Sequence, residues 1–368
     1  MATIDLVKDS TMQTIGNKLD AINAGISALA AKTMLTSWDD VVHAARLGTA
    51  DKLIAVGDSF TCTRGSGQSQ QTITWDVANV TPNAVTLLCH ECLMNLQFGA
   101  PQALYYTADG LAAGTYNFVY DDTNSAQFTL TNAVPAGGQI TLAWQSGAVT
   151  TAKVSTYSGS SSTQAIDSDV SVSEGSQGTA LTGAGLNNIE RARFGSNNYE
   201  KSAIRQWLNS NAAAGSVWTA KTDFDRPPVW ATTTEGFLNG LDEDFLAAVG
   251  ESQVVTALNT TTDGGGSVTL NDKFFLPSSY EMYAEMVYNT AEGTQWGLYS
   301  RLGEQPITGA SNACPQRVKY LTTGTARFYF TRSPHITESR VRIIKPDGAA
   351  TADSAYAQLG AVPACVIK

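Results

Sequence analysis

Apolar residues near the start of the chain follow a repeating three- and four-residue spacing. The positions are Met12, Ile15, Leu19, Ile22, Ile26 and Leu29. This spacing predicts an oligomerising helix within residues 1–35, whose apolar seam forms a coiled coil. Leucine at a positions with isoleucine at d positions favours three or four helices, and we expect a homotrimer. An amphipathic helix packed on its own domain is the alternative.

After this helix the pattern changes to short elements. Ser37 and the acidic residues behind it predict a capped helix that runs to Ala45. Runs of β-branched and apolar residues predict strands in the same region. These strands are Lys52–Val56, Thr72–Val77 and Val85–Leu88.

Between residues 100 and 158 apolar residues alternate with polar ones, which predicts a small antiparallel β module. The alternating positions are Tyr116, Phe118, Tyr120, Phe128, Leu130, Ile140, Leu142 and Trp144. Ala133–Gly138 is predicted as a tight connection between two of these strands. Ser158–Thr163 is predicted as an exposed loop or linker.

Helical patterns and large aromatic residues follow Leu186. Tyr199–Ser210 and Phe237–Val249 are predicted as amphipathic helices. Lys273–Leu276 is predicted as a short buried strand, preceded by a loop at Gly264–Gly266. The chain as a whole is therefore expected to be an α+β protein.

Charge limits the choice of partner. Only 15% of the residues are charged and the formal net charge is −10, whereas binding to phosphates needs clustered lysine and arginine. The cations near the C-terminus fit a solvated strand face or a protein-ligand surface better. They are Arg327, Arg332, Arg340, Arg342 and Lys345. We therefore expect no nucleic-acid partner.

The pattern also argues against export and membrane insertion. Met1–Asp5 shows no positive segment followed by an apolar one, as a secretory signal would. No apolar run reaches the length of about 20 residues that a membrane-spanning helix needs. We expect a protein that is made in a bacterial cytoplasm and is not inserted into a membrane.

The five cysteines are odd in number and widely spaced, which does not resemble a disulfide framework. They are Cys62, Cys89, Cys92, Cys314 and Cys365, and most are expected to be buried. A zinc site would need two ligands beyond the C-x-x-C of Cys89 and Cys92. We expect neither a metal nor another cofactor.

Five motifs in the second half of the chain carry a family resemblance. They are Ser202–Ser210, Asp225–Pro228, Asp272–Leu276, Phe330–Pro334 and Gly360–Ile367. In this order, they resemble a family of phage and bacterial domains that is similar in fold to C-type lectins and to the formylglycine-generating enzyme. The resemblance implies a C-type-lectin-like domain over residues 166–368 with its first part at 36–98. The β module at 99–165 is then an insertion.

Members of this family include the variable proteins of diversity-generating retroelements, in which positions near the C-terminus are mutagenised to change ligand specificity. Arg332–Pro334, Asp347–Gly348 and Gly360–Cys365 match the frame around those positions. The resemblance implies a surface of exposed, variable residues that binds a ligand. These residues are His335, Glu338, Arg340, Ile343, Lys345, Thr351, Asp353, Ser354, Tyr356 and Leu359, together with Ala357. Tyr329 is also expected to bind the ligand.

The frame residues are expected to be structural. Arg205 and Arg332 should make buried charge-assisted hydrogen bonds, and Trp207 with Phe274 should fill the core. Phe328–Thr331 stands where the family has a tryptophan-rich run.

Enzymatic function is the least favoured interpretation, and no catalytic residue is expected. The resemblance to the formylglycine-generating enzyme suggests Cys314 and Cys365 as a reactive cysteine pair. A thiolate nucleophile needs an exposed electropositive setting, however, and Cys365 falls in a strand that is buried in this architecture. Acidic residues could in principle hydrolyse glycosides or bind calcium, although a solvated face and a turn explain them better. They are Asp223, Asp225, Asp242, Glu243 and Asp244.

The favoured hypothesis is a phage virion structural protein, such as a tail fibre, exposed on the particle and assembled in the host cytoplasm. Its partners would be a host cell-surface protein or glycan, other virion proteins and copies of itself. The alternative is a purely architectural component, such as a head decoration or baseplate protein.

Overall fold

The computed structural model shows a mixed α/β protein built mainly of β-sheets with few helices. It describes residues 13–22, 35–67, 70–102, 105–107, 109–119, 125–136, 138–145, 148–155, 170–174, 179–180, 189–221, 224, 226–284, 290–300, 314–321, 324–335 and 337–368.

The helices are short. They are α1 (13–22), α2 (Trp38–Arg46), α3 (Ala50–Leu53), α4 (Ile189–Phe194), α5 (Ala203–Leu208), α6 (Glu243–Ala248), α7 (Thr260–Asp263), α8 (Ser279–Tyr283) and α9 (Gly297–Ser300). Two 3₁₀ turns lie at Val229–Thr232 and Pro315–Arg317. Within the described residues, no helix has the length and apolar character to cross a membrane.

Helix α1 carries half of the predicted coiled-coil seam. The side chains of Ile15, Leu19 and Ile22 are 55%, 55% and 57% exposed. The other seam positions, Met12, Ile26 and Leu29, lie outside the described residues. An apolar stripe that faces water is what an unpaired coiled-coil helix shows, but the coiled coil itself stays a prediction.

Helix α2 begins as predicted. The Ser37 hydroxyl accepts from the Asp40 backbone N–H, and the Asp40 carboxylate accepts from the Ser37 backbone N–H, which forms a capping box. The strand predicted at Lys52–Val56 is wrong, because α3 occupies Ala50–Leu53. Alanine, lysine and leucine favour helix, and Ala50 at its start and Ile54 after its end are buried in the core.

The largest sheet joins the two ends of the described chain. Its strands, in spatial order, are β1 (Ser59–Arg64), β2 (Gln71–Thr81), β3 (Ala84–Cys89), β22 (Ala364–Ile367) and β12 (Val249–Gly250), with β15 (Phe274–Phe275) also paired to β22. The strands predicted around residues 72–77, 85–88 and 273–276 are therefore confirmed. Since β3 pairs directly with β22, residues 36–98 and the C-terminal region form one folded unit.

A second sheet of five strands contains most of the predicted ligand-binding residues. In spatial order it consists of β20 (Ala350–Ser354), β19 (Arg340–Ile344), β18 (Tyr329–Pro334), β21 (Leu359–Gly360) and β4 (Asn95–Leu96). Two separate hairpins pair β13 (Ser252–Ala257) with β14 (Ser267–Asp272) and β16 (Lys319–Tyr320) with β17 (Ala326–Arg327).

Aromatic rings fill the core beside the large sheet. Trp207 packs against Phe237 with ring centroids 5.2 Å apart, and Phe237 meets Phe274 edge to face at 5.0 Å. Trp75 and Phe245 pack at 5.1 Å on the other side of Phe274. All five rings are buried. The prediction that Trp207 and Phe274 fill the core is confirmed.

The two predicted C-terminal helices are shorter than expected. Helix α5, capped by the Ser202 hydroxyl, covers the middle of the first one. In the second, only Glu243–Ala248 is helical, because Gly240 adopts φ +71° and its carbonyl accepts from the Gly65 backbone N–H at 2.8 Å. That left-handed backbone ends any helix, while Phe237 keeps its predicted place in the core.

The inserted module consists of two sheets. One has the order β10 (Val170–Glu174), β7 (Ser125–Leu130), β6 (Gly114–Val119) and β11 (Thr179–Ala180), and the other β5 (Tyr105–Thr107), β8 (Gly138–Gln145) and β9 (Ala148–Ser155). The segment predicted as a tight connection leads from β7 to β8 and so links the two sheets. All pairs except β11 with β6 are antiparallel. Because β10 and β11 belong here, the insertion extends beyond the predicted end at residue 165.

The insertion leaves and re-enters the domain at neighbouring points, which allows its removal. The Gln102 backbone N–H donates to the Arg191 carbonyl oxygen at 3.2 Å. We predict that a chain in which about four glycine and serine residues replace residues 103–188 still unfolds cooperatively, since so short a linker spans this gap. Urea denaturation followed by circular dichroism measures this. Replacement of the hairpin at residues 252–272 is the contrast and should abolish the transition, because Val255 and Asp272 bond to buried arginines.

The exposed stripe on α1 predicts self-association. Replacing Leu19 with Asp should lower the mass of the assembly towards that of a monomer, because a carboxylate cannot enter an apolar seam without a partner. Asn17→Asp adds the same charge on the side of the helix opposite Leu19 and should leave the mass of the assembly unchanged. Sedimentation equilibrium on both variants and the native chain gives the masses. A native chain that is already monomeric would contradict the predicted coiled coil.

Candidate functional site

Arg332 in β18 is the anchor of the C-terminal region. Its guanidinium donates to both carboxylate oxygens of Glu281, at 2.6 and 2.9 Å. It also donates to the backbone carbonyls of Leu276, Glu292 and Val255, at 2.8, 2.7 and 3.0 Å. Arg332 is 1% exposed, so the predicted buried charge-assisted bonds are confirmed.

A second buried carboxylate lies beside this pair. Glu292 accepts hydrogen bonds from the Ala257 backbone N–H at 2.9 Å and from the Ser333 hydroxyl. Burial raises the pKa of Glu292 above its usual range. The Ser279 backbone N–H donates in turn to Ser333. Arg332 and Ser333, two residues of the Arg-Ser-Pro motif, thus serve the framework.

Arg205 has a similar but less enclosed role. It donates to the Asp272 carboxylate from Nε and Nη2, at 2.9 and 2.7 Å, and to the Glu200 carbonyl. The Asp272 side chain is 2% exposed and that of Arg205 is 25% exposed. The predicted charge-assisted bonds of Arg205 are present, and they tie α5 to β14.

The Asp347–Gly348 turn of the family frame joins β19 to β20. The Lys345 N–H donates to the Ala349 carbonyl, and the Gly348 N–H donates to the Lys345 carbonyl. Gly348 adopts φ +81°, and a Cβ there would lie 1.9 Å from the Cys314 carbonyl oxygen. Glycine is therefore required at this position, which explains its place in the frame.

A loop over residues 335–340 joins β18 to β19 at the opposite end of the sheet. The His335 N–H donates to the Arg340 carbonyl at 2.8 Å and closes the loop. The buried side-chain amides of Asn197 and Asn259 donate to loop carbonyls. The loop backbone is therefore held from inside the protein.

Charged side chains project from this loop. Arg340 and Glu338 form an ion pair at 3.0 Å in which the side chains are 37% and 42% exposed. The Arg340 guanidinium also lies over the Phe194 ring, 4.6 Å from its centroid. His335 is half-buried, and its Nδ1 accepts from the Glu338 N–H at 3.4 Å.

The end of β20 lies beside the start of β19, where the loop at 335–340 ends. Ser354 pairs with Arg340 across the strands, and the Ala355 N–H donates to the Phe194 carbonyl at 2.7 Å. Tyr356 follows in a turn that Gln97 holds through the Tyr356 carbonyl, at 2.8 Å. We define the recognition cluster as His335, Glu338, Arg340, Ser354 and Tyr356.

The structure does not bring every predicted ligand residue into the recognition cluster. Lys345 lies just beyond the other end of β19, about 17 Å from Arg340 at roughly 3.3 Å per residue, where its Nζ lies 3.6 Å from the Asp347 carboxylate. Thr351 and Asp353 are half-buried on β20, an outer strand of the sheet, between the two ends. Ala357 is half-buried beside Tyr356.

Two predicted ligand residues lie in the core. Tyr329 is fully buried and donates its hydroxyl to the Arg317 carbonyl at 2.6 Å, and Ile343 is 1% exposed. The prediction of exposure is wrong for Ile343, because alternation along β19 turns its side chain inward. Ser354 is also largely covered, at 8% exposure. Tyr329, Ile343 and Ser354 therefore lie beneath the surface and are not exposed to a ligand.

Sequence reasoning missed an exposed aromatic pair next to this sheet. Tyr320 and Phe328 are 48% and 41% exposed. Tyr320 pairs with Ala326 across the β16–β17 hairpin, and Phe328 directly follows β17. Pairing of Tyr329 with Gly360 sets Phe328 beside the half-buried Leu359. We call Tyr320, Phe328 and Leu359 the aromatic patch.

All five cysteines are free and buried, as predicted for most of them. Burial raises the pKa of Cys62, Cys89 and Cys92 to about 12, and it raises that of Cys365 well above its usual range. His90 faces away from the cysteine pair, with Nδ1 2.8 Å from the Asp76 carboxylate. Among the residues that the structure describes, no three histidine, cysteine or acidic side chains group to hold a metal ion.

The acidic residues near α6 are explained locally. The Asp242 carboxylate accepts from the Phe245 N–H and caps the helix, while Glu243 and Asp244 are exposed in its first turn. Asp223 and Asp225 lie outside the described residues.

The fold and its buried frame define a mixed α/β domain that exposes a cluster of varied side chains. Residues 176–368 match the model of a family described as a domain of unknown function, DUF6273. The match covers more than half of the chain, and the chain belongs to this family. No curated protein and no solved structure matches the chain.

The enclosed ion pair should dominate the stability of this domain. Replacing Arg332 with Met leaves the Glu281 carboxylate buried without its partner, which we expect to cost about 3–5 kcal/mol of unfolding free energy. Arg340→Met breaks an exposed arginine–glutamate pair instead and should cost less than about 1 kcal/mol. Urea denaturation of both variants measures the difference. Equal losses would show that burial of the Arg332 pair does not matter.

Proposed function

We propose that this protein is a phage virion structural protein whose C-terminal domain presents a ligand-binding surface for host recognition or adhesion. The recognition cluster supports this proposal. It sets a cation and an anion next to an imidazole on a backbone that buried residues hold, and the phenol of Tyr356 follows two residues after Ser354, the strand partner of Arg340. A surface of such mixed chemistry on a rigid scaffold suits the binding of a protein or a glycan.

The proposal includes a C-type-lectin-like fold similar to that of the retroelement variable proteins. The motifs that carry the resemblance occupy framework positions in this chain: Trp207, Phe274, Arg332 and Cys365 are all buried. The recognition cluster falls between two of those motifs in sequence. This arrangement separates residues that build the domain from residues that are free to change.

In this proposal the protein resides on the exposed surface of the virion after assembly in the host cytoplasm. The stripe of Ile15, Leu19 and Ile22 on α1 would join three copies, and other virion proteins would hold the trimer. The ligand would be a protein or glycan on the host cell.

A purely architectural role is the second candidate, and the aromatic patch favours it. Among the residues that the structure describes, Tyr320 and Phe328 are the aromatic side chains with the greatest exposure. Tyrosine and phenylalanine are common at the centres of protein interfaces. A contact between neighbouring subunits of a particle would cover them.

Variation in a phage population separates the two roles. We predict that sequences of the 3′ end of this gene differ at His335, Glu338, Arg340 and Tyr356, since these side chains face outward from a fixed backbone. The neighbouring Ile343, which is buried, should stay apolar.

The controls for this measurement are the frame residues Arg332, Gly348, Pro363 and Cys365, which should not vary. Changes that concentrate in the recognition cluster would support ligand recognition. If the cluster is as constant as the frame while the aromatic patch is also constant, the architectural role takes precedence.

A further inference from the structure

Three backbone carbonyls of the loop at 335–340 converge on two side-chain amides. Asn197 Nδ2 lies 2.7 Å from the Arg340 oxygen, 3.1 Å from that of Glu338 and 3.4 Å from that of His335. Asn259 Nδ2 lies 2.9 Å from the Glu338 oxygen and 3.2 Å from that of His335. The two amides together reach both ends and the middle of the loop.

The two amides come from different parts of the fold. Asn197 and Asn259 are both fully buried. The Asn259 side-chain oxygen accepts from the backbone N–H groups of Thr261 and Thr262 and so caps α7. Asn197 lies in the segment that leads from α4 to α5. The loop is thus held from two independent supports.

The bonds reach only the loop backbone, and this has a consequence for its side chains. Every residue type has a carbonyl oxygen, so the amides can hold the loop whatever side chains stand at positions 335, 338 and 340. Ser339 differs, because its side chain is fully buried beneath the loop. The outward positions can therefore change while the path of the backbone stays the same.

We propose that Asn197 and Asn259 are the positioning residues of the recognition surface, and that His335, Glu338 and Arg340 determine its specificity. This proposal rests on the ligand-binding function proposed above. A loop that is already ordered loses little conformational entropy on binding, which favours affinity. Without the amides, the same side chains would have to be ordered by the ligand.

Isosteric variants test the positioning role. Asn259→Asp keeps the oxygen that caps α7 but removes the donors to the loop, and Asn197→Asp removes the other donors. Hydrogen exchange followed by mass spectrometry should show amides of residues 335–341 exchanging at least about tenfold faster, the equivalent of one lost hydrogen bond. Amides of residues 71–81 should keep their protection. If the Asn197→Asp variant does not fold, Asn197→Ala replaces it in the same measurement.

The matched control removes side chains and keeps the amides. The double variant Glu338→Ala with Arg340→Ala should leave exchange in the loop unchanged. Unchanged exchange in the asparagine variants, or equally fast exchange in this control, overturns the positioning role.

Binding is tested with a probe protein. A yeast-displayed library randomised at positions 335, 338 and 340 should yield binders to streptavidin on the native frame, and at least tenfold fewer on the Asn197→Asp frame at equal display. Equal yields would refute positioning. If the native frame yields no binders while the asparagine variants still loosen the loop, the ligand-binding function fails and the support of the loop stands.

Discussion

The buried pair of Arg332 and Glu281 is the interaction on which the C-terminal domain depends. A guanidinium with almost no exposure to water is tolerated only when its donors are bonded. Those bonds reach β13, the end of β15, helix α8 and the segment at Glu292. Four separate parts of the chain must therefore come together around the Arg332 side chain. These contacts fix the position of β18, which carries Arg332 and leads into the loop at 335–340.

The hairpin of β18 and β19 thus contributes both to the buried framework and to the exposed surface. Its strand β18 is buried along its whole length, whereas the loop that follows exposes Glu338 and Arg340. Amides from Asn197 and Asn259 hold the loop by its carbonyls and make no bond to the side chains of Glu338 and Arg340. The contrast between Arg332, enclosed and fully bonded, and Arg340, half-exposed over Phe194, shows how neighbouring arginines can build a framework and a surface.

Local patterns were good guides where a single segment decides its own structure. Ser37 predicted the start of α2, and the alternation around Thr72–Val77 predicted β2. Patterns failed where a neighbour intervened, as at Phe237–Leu241, where close approach of Gly240 to Gly65 prevents a helix. For the candidate site, the family resemblance pointed to the hairpin of β18 and β19. Tyr329 and Ile343 are buried there and Phe328 is exposed, because strand register decides which face each side chain takes.

The sequence by itself determined the mixed content of strands and helices and the buried cysteines, which follow from residue type and local spacing. The buried role of Arg332 was expected only through the family resemblance. Only the tertiary structure decided that β3 and β22 are neighbours and that Asn197 and Asn259 meet the loop at 335–340. Those facts depend on contacts between residues from about 75 to 280 positions apart, which no local pattern records.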